Sequence, residues 1–93
     1  MQRPREKAVA LRYSKDDDRA PRVVAKGEGS IARKIREIAE SNDIPVRRDD
    51  TLVELLAQIE IDREIPPELY AAVAELLAWI YRANAALEKE SQS

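Results

Sequence analysis

Ninety-three residues, 44% of them hydrophobic and 37% charged, allow one modest aliphatic core under a well-solvated surface and leave no material for a second. The absence of Cys and His excludes disulfides, thiolate and imidazole metal ligands, and the Ser-His and Cys-His nucleophile pairs. The net charge of −2 hides an asymmetry: residues 1–48 carry 13 Lys/Arg against 8 Asp/Glu, and residues 49–93 carry 3 against 10. The halves either complement each other within one fold or steer an acidic partner toward the first.

Lys7 to Tyr13 reads as a short, partly alternating strand. Ser14 to Pro21, with Asp16, Asp17 and Asp18, reads as a solvated loop that Pro21 bars from helix. Arg22 to Lys26 is the second strand, and a loop of this length suits an antiparallel hairpin, not a helical crossover. Gly27-Glu28-Gly29 then turns into a helix with Ser30 as N-cap. Its apolar stripe is Ile31, Ile35, Ile38 and Ala39, and Asn42-Asp43 ends it. Ile44 to Arg47 reads as a third strand, which Pro45 confines to an edge or a strand start. Asp49, Asp50 and Thr51 offer caps for a second helix with Leu52, Leu55, Leu56 and Ile59 on one side. Pro66-Pro67 opens a third helix to about Leu87, its inner side formed by Leu69, Val73, Leu76, Leu77 and Ile80.

The expected fold is therefore α/β of the α+β kind, a small mixed sheet covered by about three helices in the order β-β-α-β-α-α. Residues 1–87 form one domain and 88–93 a frayed polar tail. The second strand, first helix and third strand form a right-handed crossover joining parallel strands. No apolar run nears the ~20 residues that span a bilayer, and Met1 to Arg5 lack the apolar segment of a secretory signal. A cytoplasmic protein without membrane insertion is expected.

Gly27 and Gly29 before a helix could cradle a phosphate, but the pair lacks a third glycine and a P-loop Lys-Ser/Thr, so a tight turn is the better reading. Three successive aspartates cannot easily converge on one cation, which leaves Asp16 to Asp18 as a solvated turn. Glu37 and Glu40 have no apolar pocket in view. Arg33, Lys34, Arg36, Arg47 and Arg48 have no interleaved aromatics to stack bases, and no nucleic-acid partner is expected. Tyr81 reads as core; Trp79 suits a core or an interface.

Taken together, KAVALRY, then APRVVAKGEGSIARKIREIAESNDIPV, then EIDREIPPELYAAVAELLAWIY resembles the cytoplasmic C-terminal domain of the FlhB/YscU type III export switch family, over Arg3 to Arg82. Members are membrane proteins of the flagellar and injectisome export apparatus, and this domain takes part in switching from early to late substrates. The resemblance implies the same fold and no cofactor. Family members cut themselves at an Asn-Pro-Thr-His motif, the asparagine amide attacking its own carbonyl to form a succinimide. The aligned residues here are Arg3, Pro4, Arg5 and Glu6. Arginine has no carboxamide to cyclise, so self-cleavage is expected to be absent. The chain starts at this junction and looks like the post-cleavage fragment made as a separate protein.

The resemblance thus implies a non-cleaving, non-enzymatic interaction module. Its partners would be export-apparatus components, export substrates or the length-control regulator. In full-length members the segment before the cut adds to the same sheet, so its absence should expose an edge to an incoming strand. Val9 and Leu11 on that edge, Arg33 and Arg36 on the basic helix, and Trp79 are the candidate partner-binding residues. A general cytoplasmic adaptor reusing the fold outside secretion is the competing reading, with a small phosphate-binding enzyme at Gly27 and Gly29 behind it.

Overall fold

The computed structural model describes residues 5–14, 16 and 18–92, with side chains described as far as Arg82. Strand β1 (Lys7–Arg12) and strand β2 (Arg22–Glu28) form an antiparallel hairpin, as the intervening loop predicts. Ala10 pairs with Ala25 and Leu11 with Val23, so Val24 is one residue too many and bulges outward. Alternation divides the hairpin into two faces. Val9 and Leu11 point to a cluster of Ala20, Leu52, Leu56, Ile65 and Val73, which is the main core. Ala8, Ala10, Ala25 and Gly27 share the opposite face, one of small residues that lets a helix approach closely.

That helix is α1 (Ser30–Ser41), whose fully buried residue is Ala32. The apolar stripe read from the sequence is rotated from the contact: Ile31 is 60% and Ile38 52% exposed. Small side chains set this helix against a small-residue face, and the larger isoleucines are displaced to its flank. The cap also moves by one residue. Gly29, at φ 60° and ψ −124°, is the N-cap, Ser30 is already helical, and no side chain caps the end. At the other end Asp43, not Asn42, takes the left-handed conformation, with φ 56°. The Ile44 amide reaches Ala39 O at 2.8 Å and the Asp43 amide reaches Glu40 O at 3.3 Å. This is a Schellman closure.

Residues 44–47 are not a strand, which corrects the expected parallel crossover: among the described residues the sheet has two strands, order β1-β2. Ile44 and Val46 are both exposed. Pro45 removes one donor from a four-residue segment, so pairing would gain little. The start of β2 instead takes its partner from residues 62–65. Val23 N–H donates to Arg63 O at 3.0 Å, Asp62 N–H to Val23 O at 2.7 Å, and Ile65 N–H to Pro21 O at 2.9 Å. An antiparallel bridge joins Arg22 and Glu64. Asp62, at φ 73°, turns the chain into this alignment.

Helix α2 (Asp50–Leu56) is capped as expected, the Asp49 carboxylate accepting from the Leu52 amide at 2.9 Å. Its far end is closed by a strand residue: Lys26 Nζ donates to Ala57 O at 3.0 Å and Ile59 O at 2.8 Å. A 3-10 turn at Pro67–Leu69 leads into α3 (Tyr70–Gln92). The helix passes Leu87 because Glu88, Lys89 and Glu90 are good helix formers and no Gly or Pro intervenes. The result is three layers, with α1 on one face of the hairpin and α2 and α3 on the other.

Candidate functional site

The loop between the strands is anchored, although its composition suggested solvation. Asp18 divides its carboxylate between the Ser14 amide at 3.1 Å and Arg22 Nε at 2.9 Å. Arg22 also donates to Asp62 O at 2.8 Å and lies 3.6 Å from Glu64. The Arg22 hydrogen bond, with help from the Ser14 amide, holds the Asp18 carboxyl below its ordinary range. Its stabilising contribution is therefore complete above the unfolded value of about 3.9 and disappears as pH falls through the lowered folded value. Urea midpoints should show the native chain ahead of Asp18→Asn at neutral pH, with the gap closing below about pH 4. A gap unchanged at low pH would mean that the ion pair is not what holds the loop.

Anchoring the loop buries Ala20 and Pro21 and places them beside α3. Between loop and helix lies an open apolar groove of about 430 Å³. Ala20, Pro21, Ile65 and Val73 form its floor, and Ala74, Leu77 and Ala78 its helical wall. Tyr13, Tyr70 and Tyr81 stand around the rim, 39%, 46% and 51% exposed. Tyr81 was expected in the core and is instead a groove residue. Its position on α3 puts it on the side of Tyr70 and Ala74, away from the fully buried side of Val73. The sequence carried a signal for this groove that went unread: small residues at 74 and 78, bracketed by tyrosines at 70 and 81, line one flank of a helix.

The candidate partner residues Val9, Leu11, Arg33, Arg36 and Trp79 do not converge on one place. Val9 and Leu11 are half-buried and turned toward the core, so their side chains belong to the packing of the hairpin. Among the described residues β1 is paired with β2 alone. Arg33 is exposed, and Arg36 is engaged by Glu6, Nε to Oε1 at 2.8 Å. Trp79 is 37% exposed with the Arg47 guanidinium 5.6 Å from its ring centroid, a contact between α3 and the 44–49 connector. Arg3 and Pro4 lie outside the described residues. Glu6 holds α1 in place through Arg36, and its carbonyl accepts from the Gly29 amide at 2.7 Å. Glu6 is thus part of the junction between hairpin and helix. Of the basic cluster, Arg48 pairs with Asp50 and Arg47 meets Trp79, while Arg33 and Lys34 are exposed on α1.

The model of the FlhB HrpN YscU SpaS family matches residues 2–80. The chain belongs to this family. Among curated relatives it is 40% identical over 89 residues to the uncharacterized protein YlqH of Bacillus subtilis, covering 96% of each chain. It is 50% identical over 74 residues to the flagellar biosynthetic protein FlhB of Aquifex aeolicus, covering 78% of this chain and 21% of that protein. The chain thus spans about a fifth of the length of the FlhB proteins it matches. The crystal structure of the cytoplasmic domain of FlhB from Shewanella putrefaciens superimposes with a TM-score of 0.84 at 32% identity, covering 89% of this chain and 69% of that one. The α+β fold is accordingly that of FlhB cytoplasmic domains. Among the described residues no helix is long and apolar enough to cross a membrane.

Proposed function

We propose that this chain is a non-cleaving interaction module of the flagellar or type III export apparatus, which receives an apolar segment of an exported protein in the groove between the 13–21 loop and α3. The groove carries the reading. It is almost wholly apolar in lining, open to solvent, and rimmed by three tyrosines, side chains that give large contact area at low entropic cost. Membership of the FlhB HrpN YscU SpaS family supports an association of the chain with protein export. The outer edge of β1, which pairs with no strand among the described residues, is a second contact suited to an incoming strand from an export-apparatus component. Arginine at position 3 supplies no amide nucleophile, which supports a role by binding and not by self-cleavage.

Pull-down with the membrane-linked fragment of an export switch protein, and with purified early export substrates and the length-control regulator, tests the reading. Retention of at least one of them is expected. If none of these export proteins is retained, the module reading fails, and a general adaptor that uses the same fold elsewhere takes its place.

A further inference from the structure

We infer that the groove selects peptides with a carboxylate beside their apolar side chain, and that Arg19 is the residue that reads this charge; the inference rests on the docking role proposed above. Among the described residues Arg19 is the one charged residue in the groove's lining, and it is exposed at the mouth. Among the described residues no carboxylate pairs with it. The neighbouring acid, Asp18, has given one oxygen to the Ser14 amide and the other to Arg22 Nε. The root of the side chain is fixed as well. Asp18 is tied on one side, while Ala20 and Pro21 are buried on the other and Pro21 O accepts from the Ile65 amide at 2.9 Å. With the backbone fixed, only the side chain must order to meet a carboxylate, and the planar fork of a guanidinium suits a two-point contact. An apolar floor cannot distinguish one hydrophobic segment from another by more than fit, so a charge at the rim provides the discrimination.

The test titrates the whole ¹⁵N-labelled chain by NMR with short peptides in a Gly/Ser frame. All carry the same two phenylalanines and differ by Asp, Asn or Lys next to the first. Shifts are expected at the Ala74 and Leu77 amides. At low salt the Asp peptide should bind roughly two- to fivefold more tightly than the Lys peptide, as expected of a partly solvated pair. That difference should shrink near 0.5 M salt, where the screening length is on the order of a few ångström. Arg19→Gln should level the series and Arg19→Glu should reverse it. Equal binding of the three peptides to the native chain, or an order unchanged in Arg19→Glu, overturns the charge selection and leaves groove docking standing. Absence of groove shifts with every peptide overturns both. So does undiminished binding in Ala78→Trp, which fills the groove.

Discussion

Leu56→Ala should lower stability by about 2–5 kcal/mol, a large share of the roughly 5–15 kcal/mol available to a domain of this size. Leu56 is 4% exposed and belongs to the main cluster with Leu52, Ile65 and Val73. Truncation there loses transfer energy and leaves a cavity that α2 cannot easily collapse to fill. The helix is pinned at its start by the Asp49 cap and at its end by Lys26. At seven residues it is also too short to persist without its tertiary contacts. Leu55 provides the internal comparison: it lies one position earlier on the same helix and is 43% exposed. Leu55→Ala should change stability by no more than about 0.5 kcal/mol. Urea unfolding of both variants measures the contrast. Similar losses from the two would mean that α2 does not dock as described.

The leucine pair also indicates where sequence reasoning reached its limit. Periodicity placed Leu52, Leu55, Leu56 and Ile59 on one side, and three of the four do face inward, either buried or half-buried. The exception is Leu55, inside the helix, because a helix of two turns docks along a narrow line and does not require its whole stripe to be covered. The hairpin, the Asp49 cap and the proline-initiated third helix were legible because local chemistry decides each of them. The 44–47 strand was not, since strand propensity describes a surface that must still find a neighbour. The neighbour of β2 came instead from residues 62–65, where nothing alternates and a positive φ at Asp62 sets the path.

The candidate site was legible to a smaller degree. The resemblance pointed to export and to a binding role, but the residues chosen for contact came from an edge and a charge pattern. The groove depends on a long-range event, the capture of the 13–21 loop by Asp18 and Arg22 against residues 62–65. No window of sequence contains both sides of that event. The Ala20-Pro21 pair therefore looked like the end of a solvated loop, and Tyr81 like one more core aromatic.

Gly27→Ala should destabilise the chain by about 1–3 kcal/mol, through crowding and not through backbone strain. Gly27 sits on β2 in a conformation open to any residue, so an added methyl would otherwise help by restricting the unfolded chain. The obstacle is Ile31: a Cβ at position 27 would lie 2.8 Å from Ile31 Cβ and closer still to its Cγ2. A branched carbon fixed to the first turn of α1 cannot rotate away, so the helix must lift from the small-residue face formed with Ala8, Ala10 and Ala25. Ile31 is itself 60% exposed, so Ile31→Ala alone should have a small effect. In the Gly27→Ala, Ile31→Ala double variant the overlap with Cγ2 is removed while the Cβ at position 31 stays 2.8 Å away, so part of the loss should be recovered, with a coupling of about 0.5–3 kcal/mol. Thermal or urea unfolding of the four proteins in this cycle measures it. Additive effects would show that Ile31 does not set the height of α1 above the hairpin. Gly29 differs in kind: a Cβ there meets only Arg5 Cδ at 3.8 Å, but φ is 60° and the conformation itself disfavours a side chain. The two glycines that together resembled a phosphate cradle thus serve separate ends, one giving α1 room to settle and the other turning the chain so that it can.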